Sequence, residues 1–290
     1  MALTTKPLGN SFVNEVPGLS LWAELDSSTV DALRELWSTS GVLVFRRQAL
    51  SEDELLRFSE RFGELEKVVR QDWTSENRPE IVRISNMRNE AGELIGGLGS
   101  GELAWHSDQS YMADPATGAV LYMVEMPRTG GHTYWANLHL AYEALSSEMK
   151  TRLDGVCGMF SYAKRQAGYG EEKPLAESIR HQTPDVIHPL VNTHPRTGAK
   201  SLYLDPSTTI GIVGMSDSDG RHLLNALTQH ATQPAFVYQH EWQVGDVVMW
   251  DNGFVLHRRD PYEASQNRLL KRTTMRLSPQ RHIVPRTVSN

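Results

Sequence analysis

Apolar residues recur at helical spacing near the start of the chain. Val30, Leu33 and Leu36 share one face of a segment that Asp26 to Thr29 can cap, which predicts an amphipathic helix running to about Ser38. The period then changes: Gly41-Val42-Leu43-Val44-Phe45 is a short apolar run behind a glycine and reads as a buried strand. Ser51, with Glu54 three positions later, makes a capping box for a second helix that turns Leu55, Phe58 and Phe62 to the core. Strand-like runs follow at 81–84, 119–125, 155–162, 187–193, 201–204, 235–239, 246–250 and 272–277, separated by turn-rich pieces such as His194-Pro195-Arg196-Thr197-Gly198. Helical patterns interrupt them at 138–150 and 217–231. Many short strands after a helical start predict a mainly β fold, a sandwich or barrel with flanking helices. No internal repeat, low-complexity segment or Pro/Gly-rich linker divides the chain, so residues 1–290 are expected to form one domain.

Composition narrows the class. Hydrophobic residues make up 39% and charged residues 22%, ordinary for a globular protein, and no run of about 18 apolar residues predicts a membrane span. The N-terminus lacks the charged and apolar regions of a secretory signal, and the single Cys157 cannot form an internal disulfide, so a reducing cytoplasm is the expected location. Lys and Arg number 29 against 35 Asp and Glu, a net charge of −6. With no basic cluster in the chain, neither nucleic acid nor a membrane surface is an expected partner.

Three constellations carry candidate chemistry. In Trp105-His106-Ser107-Asp108, residues two apart on an extended chain project to one side, so His106 and Asp108 can share a metal; alone, the pair also reads as polar residues at a strand end. His257 follows Trp250-Asp251-Asn252-Gly253-Phe254-Val255-Leu256, where a strand gives way to turn residues. Two imidazoles and one carboxylate on one face of an octahedron make a non-heme Fe(II) oxygenase site with open positions, although the same set can also hold zinc. Near the C-terminus, Arg268, Leu270, Arg272, Thr274 and Arg276 fall on one side of an extended strand. Pointing inward, such arginines need an anion and pair well with a carboxylate; the other reading is the solvent face of an edge strand, with Lys271 inward.

Other features are weaker. Gly96-Gly97-Leu98-Gly99-Ser100-Gly101 has no Lys-Ser/Thr behind it, so it is a lid or a plain surface hairpin and not a phosphate loop. Trp73, Met87, Leu98, Tyr111 and Met112 lie in stretches able to line a pocket for a substrate with apolar bulk, while ordinary packing accounts for any one of them singly. His139, His181, His188, His194, His222, His230, His240 and His282 show no ligand spacing.

Taken in order, Trp105-His106-Ser107-Asp108, Gly130-Gly131-His132-Thr133, Trp250-Asp251-Asn252, His257 and the Arg268/Arg272 pair resemble the TauD/TfdA family of Fe(II)- and 2-oxoglutarate-dependent dioxygenases. The resemblance runs over nearly the whole chain, from residues 41–45 through Phe58-Ser59-Glu60-Arg61-Phe62-Gly63 to the C-terminal arginines. It implies a double-stranded β-helix, or jelly roll, in which His106, Asp108 and His257 hold iron and Thr133 and Arg268 hold a carboxylate of 2-oxoglutarate. Arg272 matches the position that meets a substrate anion in taurine-type members, and which arginine serves which anion stays open. His132 departs from the Asp that many relatives carry there, with little consequence expected for the metal. The implied reaction consumes O2 and 2-oxoglutarate, releases succinate and CO2, and oxidises a small, anionic organic substrate. Asp108, where a halide-transferring relative has a small residue, favours hydroxylation over halogenation. Against this stand a zinc-dependent hydrolase and a non-catalytic carboxylate-binding barrel. The substrate's identity and any homo-oligomer are left open.

Overall fold

The computed structural model describes residues 3–9, 12–68, 70–168 and 177–288. Both N-terminal helices form where their caps predict. Asp26 Oδ1 accepts from the Thr29 N–H at 2.7 Å at the head of helix Ser27–Ser40, and Gly41, at φ 85°, closes it. Helix Glu52–Glu60 opens on the complete Ser51/Glu54 capping box.

Between and after these helices the chain builds two facing sheets. In the larger, strand Val247–Asp251 lies between Val42–Phe45 and Gly118–Glu125, and Leu269–Arg276 lies between Gly118–Glu125 and Arg78–Ser85. Alternation gives this sheet two apolar faces. Leu43, Phe45, Tyr122, Val247 and Met249 turn outward under Leu33, Trp37, Leu55 and Phe58 of the two helices, while Val42, Val44, Leu121, Val248, Trp250 and Leu270 turn inward. Burial on both sides is why these strands read as unbroken apolar runs. The smaller sheet has the order Val237–His240, Thr133–Asn137, Val255–Arg259, Leu103–His106, all antiparallel. Its Trp135 and Val255 close the core between the sheets, while its outward Ala136 and Leu256 pack with Leu223 and Leu227 of helix Asp217–Ala231. Two sheets closed across one core in this way form a jelly roll.

Several elements differ from expectation. The helix expected over 138–150 is two, Leu138–Glu143 and Ser147–Arg152, because Ser146 Oγ accepts from the Met149 N–H and starts a new helix. The strand expected over 187–193 divides into Val186–Pro189 and Val191–Thr193, which pair with different partners on either side of Leu190. Short helices Tyr162–Ala167 and Glu177–Gln182 carried no clear periodic signal. Among the described residues no helix is long and apolar enough to cross a membrane.

Candidate metal and cosubstrate site

His106 ends strand Leu103–His106 and His257 lies in the middle of Val255–Arg259. The two are directly opposite in the ladder, which brings their ring centroids to 4.0 Å. Just past the strand, Asp108 turns back toward them. One ligand atom from each of His106, Asp108 and His257 lies within 4.8 Å of the others, and all three side chains are buried. The residues singled out as a triad, 151 positions apart at their extremes, therefore meet.

The donor set fits a divalent cation. His106 Nδ1 lies 2.7 Å from the Ala104 carbonyl; donating its proton there leaves Nε2 as a lone-pair donor. Asp108 Oδ2 is buried with no hydrogen-bond partner, 3.6 Å from His257 Nε2. A buried carboxylate oxygen with no donor is a group that a metal would satisfy. Burial pushes His106 well below the usual imidazole value and His257 down to about 4, so both rings are neutral ligands at physiological pH. Burial alone would raise Asp108, but Arg272 and then His257 outweigh it and hold the carboxyl below its ordinary range.

The turn bearing Asp108 is clamped from both sides. Asn252 Oδ1 accepts from the Asp108 N–H at 3.3 Å and from Trp250 Nε1 at 3.0 Å, while its Nδ2 donates to the Thr117 carbonyl. Asp205 Oδ2 accepts from the Ser107 N–H at 3.2 Å and from Ser110 Oγ at 2.6 Å. Trp250-Asp251-Asn252 was visible in the sequence without this role. Asp205 was missed, its one signal being the turn-forming Asp205-Pro206-Ser207.

In the ladder Trp135 stands opposite His257, and Thr133, two residues earlier, stands opposite Arg259. Thr133 begins strand Thr133–Asn137, and its Oγ1 accepts from Trp242 Nε1 at 2.9 Å. Arg268, 1% exposed, donates through Nη2 to the Gly131 carbonyl at 3.1 Å and keeps a buried Nε without a partner. Burial, with Arg259 nearby, pulls the Arg268 guanidinium down to about 9, a measure of how much an anionic partner would relieve. Gly131 sits at φ 66°, and a Cβ there would lie 3.1 Å from Arg268 Nε, so the glycine lets the backbone approach the guanidinium. Arg272 is elsewhere. Four residues along an extended strand is about 13 Å, and Arg272 Nη1 donates to Asp108 Oδ1 at 2.8 Å. His132 Nδ1 lies 3.7 Å from Asp260 Oδ2.

Above Asp108 opens a cavity walled by Trp73, Leu98, Tyr111, Tyr162, Arg165 and Arg272. Its wall takes Trp73, Leu98 and Tyr111 from the residues expected there, but neither Met87 nor Met112. Arg165, on the short helix Tyr162–Ala167, donates to Ser207 Oγ at 2.8 Å and was not foreseen, because so short a helix leaves no period to read.

Residues 4–274 match the family described as taurine catabolism dioxygenase TauD, TfdA family. The chain belongs to the TauD/TfdA family. It is 34% identical to the alpha-ketoglutarate-dependent 2,4-dichlorophenoxyacetate dioxygenase of Cupriavidus pinatubonensis, over 94% of this chain and 98% of that one. It is 31% identical to the (S)-phenoxypropionate/alpha-ketoglutarate-dioxygenase of Sphingobium herbicidovorans, over 93% of each chain. The crystal structure of AAD-2 in complex with Mn(II) and N-oxalylglycine superposes with a TM-score of 0.82 at 31% identity, covering 96% of this chain and 98% of that one. As a TauD/TfdA member the chain is an Fe(II)- and 2-oxoglutarate-dependent dioxygenase that acts on a small molecule with O2.

Proposed function

We propose that His106, Asp108 and His257 hold the iron, that Thr133 and Arg268 receive the distal carboxylate of 2-oxoglutarate, and that the substrate is a small organic anion with an aromatic or otherwise apolar body. The observation that carries the substrate assignment is the cavity beside Asp108. Its wall holds the guanidiniums of Arg70, Arg165 and Arg272, of which Arg70 is paired with Asp72 and Arg272 with Asp108, together with the rings of Trp73, Tyr111 and Tyr162. Cations favour an anionic head group and the rings a flat apolar body. The relatives that act on phenoxyacetate and phenoxypropionate compounds support an aryloxyalkanoate-like acid.

Bound iron with 2-oxoglutarate supplies the oxidising power, drawn from O2 as the keto acid decarboxylates to succinate and CO2. The chain's part is placement. His106 and His257 present neutral nitrogens, fixed by the ladder that carries them, and Asn252 and Asp205 hold the turn that presents Asp108. Arg272, bonded to Asp108 Oδ1, keeps that carboxyl ionised and leaves Oδ2 for the metal. Trp242 fixes the Thr133 hydroxyl as an acceptor from the indole, so its own proton points elsewhere, toward a carboxylate oxygen. Trp73 and Leu98 give the cavity an apolar side.

The test is a panel of aryloxyalkanoic, arylalkanoic and alkylsulfonic acids, each with its neutral amide, assayed for succinate formation with and without O2. Substrate-dependent succinate with an acid, lost with the matching amide and lost without O2, is the expected result. Equal turnover of acid and amide contradicts the anionic assignment, and product formed without O2 contradicts oxygenase chemistry at this site.

A further inference from the structure

The segment 98–101 is fastened to the strand that carries His257 and the turn after it. Arg259 Nη2 donates to the Leu98 carbonyl at 3.0 Å and to the Gly101 carbonyl. Tyr262 donates through its hydroxyl to the Gly99 carbonyl at 3.0 Å and through its N–H to the Ser100 carbonyl at 3.1 Å. Every carbonyl from 98 to 101 is thus taken. The fastening uses only one nitrogen of Arg259: its Nε and Nη1 are buried with no hydrogen-bond partner, and the residue is 3% exposed.

Where those unused groups lie follows from the ladder. His257 and Arg259, two apart on one strand, point to the same side, and Arg259 is directly opposite Thr133. Arg268 arrives at the same place from the position just before strand Leu269–Arg276. Its Cζ lies 5.6 Å from the Tyr262 ring centroid, and that of Arg259 lies 5.3 Å from the same ring. Neither arginine side chain hydrogen-bonds a carboxylate among the described residues. Two buried guanidiniums around one ring, with three unused N–H-bearing nitrogens between them, are costly unless an anion joins them.

We propose that Arg259 is a second guanidinium for the distal carboxylate of 2-oxoglutarate, a specificity residue that sets the preference for a dicarboxylic over a monocarboxylic keto acid. The assignment rests on the reading above that Thr133 and Arg268 receive that carboxylate. Because Arg259 also holds Leu98, which walls the substrate cavity, filling the cosubstrate pocket stiffens that wall.

The experiment is calorimetric titration of the Mn(II)-loaded protein, without O2, with 2-oxoglutarate and with 2-oxobutyrate, which keeps the chelating end and lacks the distal carboxylate. Hydrogen exchange at 98–101 is followed in parallel. Arg259→Met is expected to weaken 2-oxoglutarate by at least about ten-fold, the low end for a charge-assisted hydrogen bond, while 2-oxobutyrate changes less than about two-fold. Arg259→Lys, which keeps the charge and disturbs folding less, is expected to fall between wild type and Arg259→Met. In the wild type, 2-oxoglutarate but not 2-oxobutyrate should slow exchange at 98–101. If both Arg259 variants keep the wild-type preference and merely exchange faster at 98–101, Arg259 is only a clip and the proposal fails. Arg268→Met separates the two readings: loss of the preference there with none at Arg259 overturns the second guanidinium alone, and loss at neither position overturns the pocket assignment as well.

Discussion

Asn252 never presents an atom to the place a cation would occupy, yet it bears on the metal through Asp108. Its side chain holds the Asp108 N–H, the Trp250 indole and the Thr117 carbonyl at once, so Asn252→Ala frees the turn and leaves buried groups unpaired. Loss of such a supporting contact typically costs about 10–100-fold in metal affinity; that fall, measured by Fe(II) or Mn(II) titration with the fold checked by circular dichroism, is the expected outcome. An unchanged affinity would make the contact incidental. A residue of the proposed triad should matter more: His257→Ala is expected to abolish stoichiometric metal binding and with it coupled succinate formation. Gly97 works by having no side chain, since a Cβ there would lie 2.1 Å from the Trp73 ring. Gly97→Ala must therefore displace Trp73 from the cavity wall, and a rise in the substrate KM, with cosubstrate and metal affinity little changed, is the expected signature.

At the scale of elements, Ser51→Ala removes a hydroxyl that caps the Glu54 N–H and should destabilise the protein by about 1 kcal/mol in denaturant unfolding, without touching catalysis. That helix and its cap were legible from sequence because caps are local chemistry. The apolar strands of the larger sheet were legible because both their faces are buried. Three of the four strands of the smaller sheet, Leu103–His106, Thr133–Asn137 and Val255–Arg259, left no hydrophobic pattern. Beside Trp135 and Val255 their inward positions include His106, Thr133, His257 and Arg259, which break the apolar pattern on the side of the fold that holds the candidate site. Three of the residues that hid the strands, His106, Thr133 and His257, pointed to the site, since ligand-type residues in a fixed order survive where periodicity does not; Arg259 did not stand out. Arg165 and Asp205 lay beyond reach for the opposite reason, each a single charged residue in a short helix or turn, made relevant only by long-range packing.

For the whole molecule, the jelly roll buries imidazoles outside the candidate triad as well as within it. Burial lowers His188, His194 and His240 below the ordinary imidazole value, although Asp246 pulls the other way at His240. The unfolded chain takes up protons near about pH 6.5, before the folded one does. Stability from these groups is therefore complete above that pH and is lost as pH falls from there toward the lowered folded values. The melting temperature of metal-free protein should drop between about pH 7 and pH 5; a melting temperature that rises over that window contradicts the assignment. The larger claim is that two facing sheets bring His106, Asp108 and His257 around one ferrous ion with a 2-oxoglutarate pocket at its side. Its most direct test is anaerobic titration of Fe(II)-loaded protein with 2-oxoglutarate, followed by visible absorption. A metal-to-ligand charge-transfer band that saturates at one equivalent per chain, and is missing in His257→Ala, is the result expected; protein shown to hold one iron per chain but giving no band would contradict it.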